Sequence, residues 1–154
     1  MRLKSNWLRA LERIVLAAEP EEGCALLLGR WLESGSGAGL LHLSEIWPCL
    51  NIWEPKGERR QRFLIDPREQ LLAQRWARQR GVQVLGSVHS HPVSPPKPSA
   101  TDLALAFTPT LLLIRSGLAT AGGDRDPDPL ENLRAWWLAG DGAAPLALEI
   151  QISP

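Results

Sequence analysis

The sequence predicts an α+β domain of the three-layer α/β kind, a mixed β-sheet flanked by helices, on three observations. Apolar stripes of helical period and short apolar runs of strand length follow one another as helix, hairpin, helix, strand, helix, strands. Residues that cap helices or make turns fall at the junctions between them. No repeat or linker composition divides the 154 residues, which suffice for one core, so residues 1–154 are read as a single domain.

Each element has its own signal. Trp7, Leu8, Leu11 and Val15 recur at helical spacing, predicting an amphipathic first helix. "CALLLGRWL" (24–32) is an apolar run of strand length, "SGSGAG" (34–39) a turn, and "LLHLSEIW" (40–47) the returning strand of a hairpin. "LNIWEPKGERR" reads as loop and "QRFLI" (61–65) as a short strand. In "DPREQLLAQRWARQRG" Asp66 can cap, Pro67 suits the first helical position, and Glu69 closes a capping box. Leu72 and Trp76 should face the core there, and Gly81 stops the helix. "VQVLGSVHSH" (82–91) alternates like a strand that Pro92 ends. "SATDLALAF" is a short helix and "TLLLIRS" (110–116) an apolar strand. After a polar excursion over 117–131, "LRAWWLAG" and "LALEIQI" form a last hairpin around "DGAAP", with one of Trp136 and Trp137 in the core and the other on the surface.

Composition narrows the function classes. It is ordinary for a globular protein apart from seven Trp and no Tyr. A formal net charge of zero gives no broad field for nucleic acid or anionic membrane, and the cluster "RRQR" (59–62) reads as a solvated loop or edge strand. Arg9, Glu12 and Arg13 interrupt the N-terminal apolar stretch, which is too short for a signal sequence or a membrane span. A cytoplasmic location is expected. Two cysteines, Cys24 and Cys49, make neither a disulfide framework nor a four-thiolate zinc site.

The chemistry concentrates in "VHSHPVSPPKPSATD" (88–102). Side chains at i and i+2 of a strand leave the same face, about 6.5–7 Å apart at Cα, so His89 and His91 project together. Asp102 follows eleven residues after His91, on the next helix, delivered by a loop stiffened by Pro95, Pro96 and Pro98. Two imidazoles and one carboxylate leave a tetrahedral ion one open position for water, the arrangement of catalytic zinc. Ser99 and Asp102 also fit a capping box, whereas His42, alone on its strand, reads as a packed or solvated residue. Hydrolysis needs a base as well. Glu21 and Glu22 stand where the first helix passes into the first strand, and spacing does not choose between them.

The pattern His-x-His-Pro, six residues, Ser-x-x-Asp resembles the signature of the JAMM (MPN+) metallopeptidases. "PEEGCALLLG" is similar to that family's upstream Pro-x-Glu-x-Cys-Gly, and Asn51 and "RFLIDP" (62–67) sit where its prokaryotic members carry similar residues. The likeness runs from about residue 8 to the final hairpin. It implies a cytidine-deaminase-like MPN/JAMM architecture, with Zn2+ held by His89, His91 and Asp102. Glu22 would be the general base, and Ser99 the donor to the oxyanion. The implied substrate is a peptide or isopeptide bond beside the C-terminal Gly-Gly of a ubiquitin-like or sulfur-carrier protein. Such an extended tail would suit a groove beside a sheet edge, where main-chain hydrogen bonds hold it. The chain departs from the pattern at Ala25, where the family usually has Gly; within a strand Ala is harmless.

Rival readings fare worse. A nucleobase deaminase wants His-x-Glu and Pro-Cys-x-x-Cys, and a serine hydrolase wants Gly-x-Ser-x-Gly. The chain has none of these. A RadC-like role in DNA metabolism lacks the positive charge it needs. "DRDPDP" lacks the glycine and terminal Glu of a calcium loop. The main alternative is a binding or scaffold module of MPN type that retains the metal.

Overall fold

The computed structural model describes residues 1–33, 39–118 and 130–154. The turn read at 34–39, apart from Gly39, and most of the 117–131 excursion, "DRDPDP" included, lie outside them. The chain runs β1 (Arg2–Lys4), α1 (Ser5–Leu16), β2 (Cys24–Glu33), β3 (Gly39–Cys49) and α2 (Pro67–Gln79). It continues through β4 (Gln83–His91), α3 (Ala100–Leu105), β5 (Thr110–Ser116), β6 (Leu133–Leu138), β7 (Leu146–Leu148) and β8 (Gln151–Ser153).

One eight-stranded mixed sheet orders the strands β7-β6-β5-β4-β2-β3-β1-β8. β4 and β5 are parallel, as are β1 with β3 and β8; the other neighbours are antiparallel. Only Glu149 and Ile150 separate β7 from β8, yet these strands occupy opposite ends of the sheet. The sheet therefore curls until β7 and β8 stand on either side of a seam, and main-chain bonds between Met1 and residues 149 and 151 hold the crossing segment against β1. α1 fills the concave side, where Leu8, Leu11 and Val15 pack with Leu27, Leu43, Val88, Leu111 and Leu113. α2 covers the convex side through Ala73 and Ala77 against Leu26, Leu28 and Ile65.

Five local readings change. "QRFLI" makes no strand, only the bridge Asn51↔Ile65, because the Asn51 side chain takes up the backbone groups of Arg62 and Leu64 that a ladder would use. Leu72 is 53 % exposed, because the helix approaches the sheet closely on small alanines, leaving only Trp76 half-buried, edge-on to Trp47. The Asp66 side chain does cap α2 by accepting from Arg68 N, but Glu69 accepts from Trp47 Nε1 instead of closing a box. "LALEIQI" breaks into β7 and β8 as it crosses the seam, while β6–β7 forms the expected antiparallel pair. Trp136 and Trp137 are both half-buried, each packed against a different core cluster.

One irregularity aims the site. In β4 Leu27 of β2 pairs with Gly86 and Leu28 with Val84, leaving Leu85 as an extra residue, a β-bulge. Val84 consequently packs on the convex side and Val88 on the concave side, although residues four apart in a regular strand share a face. His89 and His91 follow the shifted alternation and emerge on the convex side.

Candidate metal centre

β4 lies between β2 and β5, so its carboxyl end is central. Parallel strands cannot be joined by a tight turn. The connection from β4 to β5 therefore travels out over the convex face, carrying α3 with it. That detour returns Asp102 above the two histidines. Two contacts pin its proline-rich part, Ser116 Oγ donating to Ser94 O at 2.7 Å and Trp136 Nε1 to Pro96 O at 3.0 Å, and Gly117 N donates to His91 O at 2.9 Å where the loop leaves β4.

His89 Nε2 and His91 Nε2 lie 2.9 Å apart, and they stand 3.4 Å and 3.5 Å from Asp102 Oδ1 and Oδ2 respectively. Among the described residues these three form a group that could hold a metal ion, with donor atoms within 4.8 Å of one another. The donor set fits zinc. Ligands on a tetrahedral ion at about 2.0–2.1 Å sit about 3.3 Å from each other, close to these separations. His91 Nδ1 faces Pro95 O at 2.8 Å; a carbonyl only accepts, so Nδ1 carries a proton and Nε2 is the nitrogen left to face a metal. His89 Nδ1 is buried without a hydrogen-bond partner. What bounds that ring is Phe63, stacked on it at 4.3 Å and 21°.

Burial alone would raise Asp102, but hydrogen bonds from His89 and His91 and from Ser99 N hold it well below the usual carboxylate range. Burial lowers His89, keeping it neutral, as a ligand must be. The two histidines differ: burial alone would lower His91, but hydrogen bonding to Asp102 and Pro95 O and the nearby Glu22 and Asp102 charges raise it, so metal binding has to displace a proton from its Nε2.

Ser99 and Asp102 form the expected capping box: Asp102 N donates to Ser99 Oγ at 3.1 Å and Ser99 N to Asp102 Oδ2 at 2.6 Å. The serine oxygen accepts in this contact, so its own hydroxyl proton stays available.

The structure separates the two upstream glutamates. Cys24 is the register partner of His89, and pairing continues one step beyond β2, where Ser90 N donates to Gly23 O. The next residue, Glu22, comes level with His91. It is 3 % exposed, and burial pushes its carboxyl up to about 8, with His91 lowering and Asp102 raising it. Glu21 is partly exposed and lies 3.9 Å from Arg59 instead. Gly23 is required here: a Cβ would come 2.3 Å from Val15 O at the end of α1. Ala25 is ordinary buried strand, so nothing is lost at that departure from the family pattern.

Sequence reasoning missed Phe63 and Gly23 and gave Asn51 no role. The Asn51 amide ties Glu22 O to the 62–64 segment, a connection that no spacing rule announces. His42 sits on β3 opposite Arg30, outside the metal group. Cys24 and Cys49 face each other across β2 and β3 as free thiols, with burial pushing them up to about 12 and about 11, so neither is a ready nucleophile or ligand. Beside Asp102 opens a groove of about 260 Å³ lined by Phe63, Leu64, Gln70, Gln74 and Phe107. No helix among the described residues is long and apolar enough to cross a membrane.

A family profile described as prokaryotic homologs of the JAB domain matches residues 4–139. No protein among the curated sequences matches. A solution structure of a Desulfitobacterium hafniense protein is similar at a TM-score of 0.73 and 29 % identity, over 99 % of this chain and 92 % of that one. A Salinibacter ruber protein is similar at 0.65 and 29 %, over 100 % and 92 %. A JAB1/MPN domain protein of Archaeoglobus fulgidus shares the fold at 0.56 and 19 %, over 99 % and 97 %.

Proposed function

The chain belongs to the family of prokaryotic homologs of the JAB domain, and on that premise we propose that it is a zinc metallopeptidase. Its reaction would be hydrolysis of a peptide or isopeptide bond beside the C-terminal Gly-Gly of a ubiquitin-like or sulfur-carrier protein. The observation that carries this reading is the convergence of His89 Nε2, His91 Nε2 and the Asp102 carboxylate, with the buried Glu22 beside them on the same face. When bound, zinc would supply a water acidified toward a pKa of about 7 and a Lewis acid for the scissile carbonyl.

This chain's residues supply the rest. Glu22 takes up the water's proton and passes it to the leaving amine. A carboxyl near 8 is mostly protonated at neutral pH, and positive charge in the His–His–Asp cluster would favour the ionised form that accepts a proton. Base and metal loading are thereby coupled. Ser99 donates its free hydroxyl proton to the developing oxyanion while its lone pair keeps capping α3. The groove beside Asp102 supports an extended peptide as substrate, with the apolar Phe63, Leu64 and Phe107 flanking its path and Gln70 and Gln74 offering polar contacts.

The test is incubation with a ubiquitin-like protein extended past its Gly-Gly, followed by mass spectrometry with and without chelator. The expected result is about one zinc per chain and cleavage after Gly-Gly that chelator abolishes. Zinc uptake without cleavage of any carrier would favour a binding module that retains the metal. No zinc uptake after reconstitution would end the hydrolytic reading.

A further inference from the structure

We propose that Asn51 is a positioning residue that holds the two halves of the site in register, fixing both the backbone behind Glu22 and the loop that lays Phe63 on His89. An asparagine amide offers two N–H donors and two acceptor lone pairs. In this protein all are used. Nδ2 donates to Glu22 O at 3.1 Å and to Arg62 O at 2.9 Å, and Oδ1 accepts from Trp53 N at 3.0 Å and Leu64 N at 3.2 Å. Every partner is backbone, so the clamp is indifferent to the side chains at those positions.

The clamp is central to the 62–64 segment, which joins no strand ladder. The segment's backbone is held by Asn51 and by the Ile52 N to Leu64 O bond at 2.9 Å. The two groups that Asn51 grips there, Arg62 O and Leu64 N, immediately flank Phe63. Phe63 in turn is the ring stacked on His89, whose Nδ1 has no hydrogen-bond partner to orient it. Metal-ligating histidines ordinarily have that second nitrogen held by an acceptor. Here a stacked ring takes over the orienting role, and Asn51 sets where that ring lies. One amide thus acts on the base through Glu22 O and on a metal donor through Phe63, without being part of the donor cluster. Asp in its place would turn a donor into a second acceptor facing two carbonyls.

This role rests on the hydrolytic reading, so its test carries a readout that does not. His89 is one of only three histidines, so its ring signals can be resolved by NMR and assigned with single substitutions. In the wild type, the Phe63 stack should displace the His89 ring protons upfield. Phe63→Leu should abolish that displacement, and Asn51→Asp and Asn51→Ala should move the signals most of the way to the Phe63→Leu position. With zinc stoichiometry unchanged and the variants folded by circular dichroism, kcat should fall about 10–100-fold, the size typical of residues that orient metal ligands, with the larger effect on kcat than on KM. Should Asn51→Ala fail to fold, Asn51→Asp keeps Oδ1 and its two accepted bonds and carries the test.

Wild-type His89 signals in the Asn51→Asp variant would overturn the role. So would an activity loss that only tracks the unfolded fraction. If the wild type cleaves nothing, the hydrolytic reading fails, and the NMR comparison still decides whether Asn51 positions Phe63 and His89.

Discussion

Replacing Glu22 by Gln should stabilise the metal-free protein, and increasingly so as pH rises. Glu22 is 3 % exposed, and burial raises its carboxyl to about 8 from an ordinary 4.5. The sign follows from linkage: below about pH 4 both folded and unfolded chains hold the proton, and Glu22 contributes nothing. Between the two values the unfolded chain ionises while the folded chain cannot do so freely, so stability drains away. Above about pH 8 the loss is complete. At about 1.4 kcal/mol per pH unit between the two titrations, the ceiling is about 3 kcal/mol at pH 7 and about 5 at pH 9; water entering around the anion lowers both. Gln keeps the shape and removes the charge, so the variant escapes this loss. Urea titrations of both proteins with chelator present, at about pH 4, 7 and 9, read the difference directly. Added zinc should shrink its pH-dependent part. A stability difference flat across that range, or a variant less stable than the wild type at high pH, would refute a buried, costly Glu22.

Three further outcomes are expected. Ser99→Ala should cost about 1 kcal/mol of stability through the lost α3 cap, whereas Ser99→Gly should cost only a few tenths. Both should lose about 10²–10³ in kcat if the hydroxyl serves the oxyanion; denaturation and steady-state kinetics on the same samples separate cap from donor. Gly23→Ala forces a methyl onto Val15 O and should destabilise by roughly 1–3 kcal/mol while displacing Glu22, seen as lost activity in protein that still binds zinc.

How much was readable beforehand follows from how local each signal is. The α1 stripe and the long strands are legible because their own residues carry the burial pattern. β1 and β8 are three-residue strands whose pairing partners lie far away in the chain, and nothing within three residues announces that. Leu72 misled because a helix packed on Ala73 and Ala77 turns its larger residues outward. At the site, His89, His91 and Asp102 were visible from alternation and a proline break. Glu22 needed a family resemblance, since the β2–β4 register that brings it to His91 is a long-range fact. Phe63 reaches His89 from a segment whose shape depends on one amide elsewhere, which is why it read as a strand.

The extra residue in β4 has a bearing on how such chains are recognised. Shorten that strand by one residue upstream of Val88, and the strand regains regular alternation. His89 and His91 would then point toward α1, and Val88 and Ser90 toward the groove. Every motif letter would survive, Asp102 would still cap its helix, and a pattern search would score the chain as a complete enzyme. A one-codon deletion would thus scatter the three metal donors without touching any of them. Chains of this family that keep the full signature yet show no activity should be inspected first for the length of β4, and only afterwards for their metal.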